Sequence, residues 1–600
     1  MKEFILKYKY NIILYCLMIL SLYINFVFFY TKIGFSFCSG VPPTRWLYTL
    51  VNCITLLSPL LFLNKRYIWI ALLYYIILIF TFFIPHTIYY RFYANIIPIS
   101  SFFELGNLIE LSGVLHSYFK LSDFFYLLNT VCLFGICFFV LKKNIVDMKI
   151  RYKIILFGIS IFLFIGLFSA SSVVAMKRNG KNFWWRYEAG IFDQPLFTSY
   201  YGIIPHWIYQ IYHFAKIDNV PITVEENRRI DDYLVLCSEI QCSSTEQTTK
   251  NLIIIVVESF SSWLSNFENG ESISFLTSIQ QSDSTIIYIP RVLSQVSHGR
   301  SSDAQLMYNT GLLPIFNGAA SSLYDNQYYP ALAEVLSSSA TIMGDSPSMW
   351  NQQKMNIAYH IDTLISSENL VHDEIIGIGI SDKSTFRQAI TVLKDIQQPF
   401  YAQIITLSSH NEIVFADYPT DLQFPKHYSD DVKNYIKSIE YVDQAIAQFV
   451  NDLKQNGLYD NSVIVIVGDH EGMKAQEIYK YDPALVDSLE IATNNTFIPL
   501  YILNSGQTYQ QIENQVIGQI DIYPTLLDIM GISDYYWQGL GTSIFSEKPP
   551  TFAVDKNMNV IGDVTGYTQD EIQHKIDAWA ISDLMIRKKY LEVLKNKSNE

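Results

Sequence analysis

Charge is the first thing this 600-residue chain is short of. Asp, Glu, Lys and Arg make up 16 % of it, against about 25 % in an ordinary soluble domain, while half of the residues are hydrophobic and 15 % are aromatic. A wholly soluble chain is thereby excluded, because much of that apolar surface must face lipid. Basic residues are scarcest in the second part. Residues 1–175 hold 14 Lys and Arg against five acids (Glu3, Glu104, Glu110, Asp123, Asp147), a net of +9, and the remainder holds 28 bases against 51 acids, a net of −23. Nucleic acid is excluded as a partner of that acidic part, since phosphate backbones need clustered Lys and Arg. An anionic substrate is not excluded if a bound cation dominates the local field. Cysteine is sparse as well. Cys16, Cys53, Cys132 and Cys137 lie in apolar runs and Cys38 in a loop, which leaves Cys237 and Cys242 in the polar part. These two form a small extracytoplasmic disulfide or remain free thiols, and a five-residue spacing fixes neither.

What is present begins with long apolar runs. A hydrocarbon core of about 30 Å takes roughly 20 apolar residues in helix, and such runs fall near 11–30, 46–63, 67–85, 124–141 and 154–174. Lys2, Lys7 and Lys9 precede the first run, Lys65 and Arg66 separate the second and third, and Lys142, Lys143, Lys149, Arg151 and Lys153 lie before the fifth. By the positive-inside rule those segments are cytoplasmic. Five spans then leave the N-terminus inside and everything after about 175 outside. The first run is long for a signal peptide and lacks a small-residue cleavage site, so it reads as an uncleaved anchor. The mixed stretch 86–123 reads as an outer loop with interfacial or re-entrant pieces.

Six hundred residues exceed one core, so further domains are expected. Residues 1–175 read as the five-helix transmembrane domain. Residues 176–250, with Trp184, Trp185, Trp207 and many Tyr, read as an interfacial amphipathic connector and linker. From 251 the pattern changes to short β-branched runs: Leu252–Val257, Thr285–Ile289, Ala340–Met343, Phe400–Leu407, Val463–Val467 and Phe497–Leu503. Continuous apolar runs separated by helical stretches indicate a mainly parallel sheet covered on both faces. Helical patterns near 434–457 and 521–531 supply the covers. An α/β catalytic domain over 251–548 is expected, with a peripheral C-terminal helical tail over 549–600.

Active sites of open parallel sheets gather at the carboxyl ends of the strands, and three runs end informatively. Leu252–Val257 ends in Glu258, Val463–Val467 in Gly468-Asp469-His470, and Phe400–Leu407 in Ser408-Ser409-His410. Each residue alone reads most simply as a strand-end polar group or a helix cap. Together, carboxylates and imidazoles at one edge suit a divalent cation with mixed O and N ligands. A nucleophile is offered by Ser297-His298-Gly299-Arg300-Ser301-Ser302-Asp303, just ahead of an expected helix 303–309. A hydroxyl there can be activated by a metal and by the positive end of the helix.

In order, Glu258-Ser259-Phe260, Gly299-Arg300-Ser301-Ser302-Asp303, Asp345 with Trp350-Asn351, His410 and Gly468-Asp469-His470 resemble lipoteichoic acid synthases and their phosphoglycerol transferase relatives in the alkaline phosphatase and sulfatase superfamily. The likeness extends to Tyr89-Tyr90-Arg91-Phe92, Tyr441-Val442-Asp443 and the run from Asp521 to Ile532, about residues 5–545 in all. The resemblance implies an extracytoplasmic sulfatase-like domain anchored in the plasma (inner) membrane. It implies one divalent metal, manganese first with magnesium or zinc as alternatives, held by Glu258, Ser301, Asp469 and His470. Ser301 would be the covalent nucleophile, and His410 would contact the transferred phosphate or protonate the leaving group. Asp345 and Trp350 would shape the head-group pocket. Two positions depart from the family pattern. Its nucleophile is usually Thr where this chain has Ser301, which keeps the hydroxyl. An Arg that follows Trp-Asn is here Gln352, which removes a bidentate phosphate or glycerol contact.

The function so implied is transfer of an alcohol-phosphate head group, phosphoglycerol before phosphoethanolamine, from a membrane phospholipid donor to a glycan, glycolipid or polyol-phosphate acceptor through a phosphoseryl intermediate. Two alternatives stay open. One is a phosphodiester or sulfate-ester hydrolase, although Ser301-Ser302-Asp303-Ala304-Gln305 is not the C/S-x-P-x-R string of true sulfatases. The other is a non-catalytic membrane protein, which Gln352 favours and the retained metal-type residues oppose.

Overall fold

A computed structural model of the chain describes residues 6–33, 43–63, 68–93, 96–97, 119–141, 146–179, 194–213, 221–240, 249–282, 286–316, 318–347, 349–410, 412–473, 478, 483–488, 496–507, 509 and 512–598. The cysteine pair Cys237 and Cys242, the Trp184-Trp185 pair and most of the expected outer loop lie outside the described side chains. Residues up to 217, apart from 103–114, form one compact unit, and those from 218 onward another.

In the first unit, five described helices are long and apolar enough to cross a membrane: Lys9–Lys32, Arg45–Phe62, Leu73–Arg91, Leu121–Val140 and Ile150–Val174. The third runs further along the chain than 67–85. Arg91, which ends it, is neutralised by Asp123 through two bonds of 2.6 Å, so a guanidinium is tolerated at a span end. Polar ties join the spans where lipid offers no hydrophobic drive. Asn129 Nδ2 donates to Asn25 Oδ1 at 2.7 Å, and the Ser21 and Tyr75 hydroxyls lie 2.6 Å apart.

The second unit is built on a sheet. Its strands are β1 (Asn251–Val257), β2 (Ile287–Leu293), β3 (Ser338–Met343), β4 (Thr363–Ile365), β7 (Phe400–Ile405), β8 (Ser462–Gly468), β9 (Phe497–Leu503) and β10 (Ile517–Gly518), with β5 (Ile375–Ile376) and β6 (Gly379–Ile380) in a small hairpin. The order is β10-β2-β9-β8-β1-β7-β3-β4, and only β9 runs antiparallel to its neighbours. The run expected at Thr285–Ile289 becomes a strand that starts later and continues through Pro290 to Leu293, with an irregularity between Ile289 and Val292. Proline interrupts a ladder, and the bulge absorbs it.

The unbroken apolar runs follow from burial on both sides. Leu252, Ile254 and Val256 of β1 enter one core cluster, whereas Ile253, Ile255 and Val257 enter another. Each such side chain is worth roughly 1.5–3 kcal/mol when fully buried, so β1 and its neighbour β8 anchor the sheet. Helices α1 (Asp382–Asp395) and α2 (Asp430–Gln455) supply Phe386, Leu393, Ile436, Val442 and Phe449 to the second cluster. The first cluster takes Leu306 and Met307 of α3 (Ser301–Thr310) and Leu526 and Leu527 of α4 (Ile522–Met530).

The C-terminal segment is not the peripheral tail that its polar composition suggests. After the hairpin β11 (Phe552–Val554) and β12 (Val560–Gly562), helix α5 (Gln569–Arg587) sinks Trp579, Met585 and Ile586 into the first core cluster. Trp579 is 1 % exposed, and its indole N–H donates to the Val554 carbonyl at 3.1 Å. Long-range docking of this kind leaves little trace in local periodicity.

Candidate active site

Three strands end in one place. β1 and β8 are adjacent and parallel, pairing Val257 with Gly468, so Glu258 and Asp469 leave the sheet side by side. β7 flanks β1 on the other side and leads to His410. Glu258, Asp469 and His470 are all buried, and each offers a ligand atom within 4.8 Å of the others.

Ser301 reaches this cluster from α3, where it is the first helical residue. Its hydroxyl donates to Glu258 Oε2 at 3.2 Å and lies 3.4 Å from His470 Nε2. Asp303 forms the loop ahead of it by accepting the N–H groups of Ser297 and Gly299 at 2.8 and 2.9 Å. A Cβ on Gly299 would sit 2.3 Å from Asp303 Oδ1, so only glycine fits there. Arg300, at φ 45°, turns the chain sharply into the helix. Ser259 (φ 57°), Trp350 (φ 49°) and Asn351 (φ 57°) also take the left-handed region. A non-glycine residue held there costs of order 1–3 kcal/mol, and such strain clusters at functional sites.

The spacing of the donor set suits a divalent cation. Bonds of about 2.0–2.2 Å in a tetrahedron set ligand-to-ligand edges of roughly 3.3–3.6 Å. Four separations fall near that range: His470 Nε2 lies 3.5 Å from both Glu258 Oε1 and Asp469 Oδ2, and Ser301 Oγ lies 3.2 Å from Glu258 Oε2 and 3.4 Å from His470 Nε2, so Glu258 turns one oxygen to each neighbour. Electrostatics agree. Burial, with Glu258 alongside, pushes the Asp469 carboxyl well above the usual carboxylate range. Burial also opposes charge on Glu258, yet the neighbouring His470 and His410 hold its carboxyl below the usual range. Burial and the nearby Arg300 lower His470 to about 4, so its imidazole is neutral with a lone pair to give. Nδ1 lies 2.9 Å from the Glu471 carbonyl and 2.9 Å from Arg300 Nη2. The tautomer that frees Nε2 for a metal carries its proton on Nδ1 and donates it to the Glu471 carbonyl, to which Arg300 Nη2 also donates at 3.3 Å instead of to the ring.

Several further residues support the predicted ligands. The Ser259 N–H donates to Asp469 Oδ1 at 2.8 Å, and its hydroxyl donates to Glu258 Oε1 at 2.7 Å. Gln519 donates to the Asp469 carbonyl at 2.7 Å. Asp382, at the start of α1, accepts the Leu407 N–H at 2.7 Å and so steadies the turn that carries His410. Adjacency to Glu258 is the signal available for Ser259, whereas Gln519 and Asp382 lie far along the chain from every predicted ligand and spacing does not point to them.

Asp345 and Trp350 follow the end of β3. Asp345 is 7 % exposed and accepts the Ser346 N–H at 2.7 Å. Asn351, next to Trp350, donates to the Ser321 carbonyl at 3.0 Å, and the Ser321 hydroxyl lies 3.0 Å from that of Ser302. A polar relay thus joins the Trp350 segment to the residue beside Ser301. Gln352 is buried, and its amide donates to Asn356 Oδ1 at 3.0 Å.

Comparison with known proteins agrees with this architecture. The sulfatase family model matches residues 250–532, and the model for the lipoteichoic acid synthase N-terminal domain matches residues 1–220. The chain is 28 % identical over 480 residues to lipoteichoic acid synthase 1 of Bacillus subtilis, covering 77 % of this chain and 73 % of that protein. It is 26 % identical over 517 residues to the lipoteichoic acid synthase of Staphylococcus saprophyticus, covering 81 % and 76 %. The solved integral membrane lipooligosaccharide phosphoethanolamine transferase A of Neisseria meningitidis superposes with a TM-score of 0.52 at 13 % identity, over 86 % of this chain and 95 % of that one. At that identity the match speaks for the fold alone.

Proposed function

Since the chain joins a lipoteichoic acid synthase N-terminal domain to a sulfatase domain, and so belongs to the lipoteichoic acid synthase-like family of the alkaline phosphatase and sulfatase superfamily, we propose that it moves a head group from a membrane phospholipid to a cell-envelope hydroxyl. It is a membrane-anchored phosphotransferase. Phosphoglycerol is the first choice of head group and phosphoethanolamine the second, with a glycan, glycolipid or polyol phosphate as acceptor. The observation that carries this reading is the Ser301 hydroxyl at the first turn of α3, within 3.2 Å of Glu258 and 3.4 Å of His470.

Ser301 Oγ attacks phosphorus, the phosphoester bond to diacylglycerol breaks, and a phosphoseryl intermediate forms. Ser301 reacts as the alkoxide, its hydroxyl proton having passed to solvent; protonated His410 gives its proton to the leaving diacylglycerol oxygen, and His410 takes a proton back from the acceptor hydroxyl as that oxygen attacks phosphorus and the Ser301 alkoxide is expelled. The N-terminus of α3 favours negative charge growing at Ser301. Glu258, Ser301, Asp469 and His470 would hold one divalent cation, manganese before magnesium or zinc, which when bound supplies positive charge to favour the ionised hydroxyl and the phosphoryl oxygens. Asp345 and Trp350 bound the head group.

The basic loops put the N-terminus in the cytoplasm and the catalytic unit outside. Reporter fusions after residues 65 and 148 read cytoplasmic in this account, and a fusion after 250 reads external. In vesicles of phosphatidylglycerol or phosphatidylethanolamine, the full-length protein releases diacylglycerol and Ser301→Ala does not. Undiminished release by that variant would overturn the assignment.

A further inference from the structure

A cavity of about 360 Å³ opens among the membrane helices, walled by Asn11 and Tyr15 of the first span, Leu60 of the second, Ala71 of the third helix, and Leu156 and Leu163 of the fifth. That volume falls within the range of small-ligand sites, roughly 300–1,000 Å³. Three observations specify the occupant.

The first is depth. Along the fifth span the cavity runs from Lys153 to Leu163, about 15 Å at 1.5 Å per residue, which is half of the ~30 Å hydrocarbon core. One leaflet is therefore traversed, and the lining at that depth is mostly Leu, Ile and Met. The second is lateral access. Ile159 and Leu163, both lining residues, are 48 % and 44 % exposed, so the wall on that side faces the bilayer. The third is charge at the mouth. The Tyr8 and Tyr152 rings meet at 6.0 Å, which brings the start of the first span against the start of the fifth. Exposed Lys7, Lys9, Lys149 and Arg151 are thereby gathered at one end, against the single described acid Asp147. Lys153, 4 % exposed, lines the cavity and donates to the carbonyls of Phe62 and Leu63 at 3.2 and 3.3 Å.

We infer that this cavity is a lipid site. It takes one acyl chain of an anionic phospholipid from the leaflet on the basic-loop side, with the phosphate among Lys7, Lys9, Lys149 and Arg151. An apolar slot one leaflet deep selects a chain, and basic side chains at its rim select a negative head group. The site shares no residue with the Ser301 centre and does not depend on the reaction assigned to it.

Native mass spectrometry of the full-length protein, titrated with phosphatidylglycerol or phosphatidylcholine of equal chain length, tests the inference. The site is scored as lipid lost on Ala71→Phe, which fills the slot, so a donor held at the catalytic centre does not register. The wild type retains one phosphatidylglycerol more firmly than phosphatidylcholine by about tenfold or more. Ala71→Phe removes it, and the double variant Lys149→Glu/Arg151→Glu keeps the slot but loses the preference. Should Ala71→Phe lower the melting temperature sharply, Ser160→Phe, at another lining residue, serves the same purpose. Lipid binding unchanged by both filling variants, or equal retention of the two lipids by the wild type, would overturn the inference.

Discussion

Arg300 and Glu471 form an ion pair, Nη1 to Oε1 at 3.0 Å, with each side chain 17 % exposed. The pair ties the residue before Ser301 to the residue after His470, so nucleophile and imidazole are held by one bond between their neighbours. Removing either partner strands a poorly hydrated charge. Arg300→Ala and Glu471→Gln are each expected to cost about 2–3 kcal/mol of stability, less than a fully buried pair because some water reaches both. Turnover should fall by about 10- to 100-fold, the usual penalty for a residue that orients a metal-type ligand. A double-mutant cycle on turnover measures the coupling, and strictly additive losses would show that the pair does not position the site.

Asp469→Asn and His470→Ala each remove one member of the buried donor set. Binding of manganese to the full-length protein, followed by calorimetry, should weaken by more than about 100-fold in both, beyond what loss of an orienting partner costs. Chelation should abolish turnover and added manganese should restore it. Equal affinity in wild type and both variants would place the metal elsewhere.

Sequence legibility tracks how local each cause is. Glu258, Asp469 and His470 could be read from the ends of continuous apolar runs, because those runs are buried on both faces and their first polar residue marks the sheet edge. The helix expected at 303–309 proved to be Ser301–Thr310, an ordinary error of terminus. The antiparallel direction of β9 could not be read, since Phe497–Leu503 looks the same either way. Nor could the docking of Trp579, which depends on a partner surface hundreds of residues away. Arg300, Glu471 and Asp382 were hidden for the same reason. Their roles lie in pairings across the sheet edge, to which composition and spacing are blind.

Gln352 is buried, with its amide spent on Asn356. In the resemblance that the motifs carry, an Arg occupies this position and contacts phosphate or glycerol. Gln352→Arg should therefore raise loading from phosphatidylglycerol relative to phosphatidylethanolamine, by about 1–3 kcal/mol for a charged hydrogen bond. Competition between the two lipids in mixed vesicles gives the ratio directly. An unchanged ratio would mean that head-group choice is made elsewhere.

The helix that carries Trp579 is held at its start by a reciprocal cap. Thr568 accepts the Glu571 N–H at 3.2 Å, and Glu571 accepts the Thr568 N–H at 2.6 Å and pairs with Lys548 at 2.5 Å. Lys548, then the Thr568 N–H, hold the Glu571 carboxyl down to about 2. The unfolded value is near 4.3, so a lowered native value adds stability that is complete above about pH 5 and fades as pH falls toward 2. Glu571 is 35 % exposed, which limits the effect to less than about 1 kcal/mol. Thr568→Ala should cost about 1 kcal/mol at neutral pH. Glu571→Gln should melt lower than wild type at pH 7, with the gap narrowing below about pH 4 and closing near pH 2. A gap that widens on acidification would contradict the cap.

The central claim is that Ser301 becomes covalently phosphorylated by a phospholipid head group. Full-length protein incubated with manganese and either phosphatidylglycerol or phosphatidylethanolamine, without acceptor, should be digested and its peptides weighed by mass spectrometry. The account predicts a head-group phosphate on the peptide containing Ser301, with a mass that names the donor. The adduct should be lost in Ser301→Ala and partly kept in Ser301→Thr, since both hydroxyls can attack. An adduct on Ser302 instead, or none from either lipid while the protein holds metal, would contradict it.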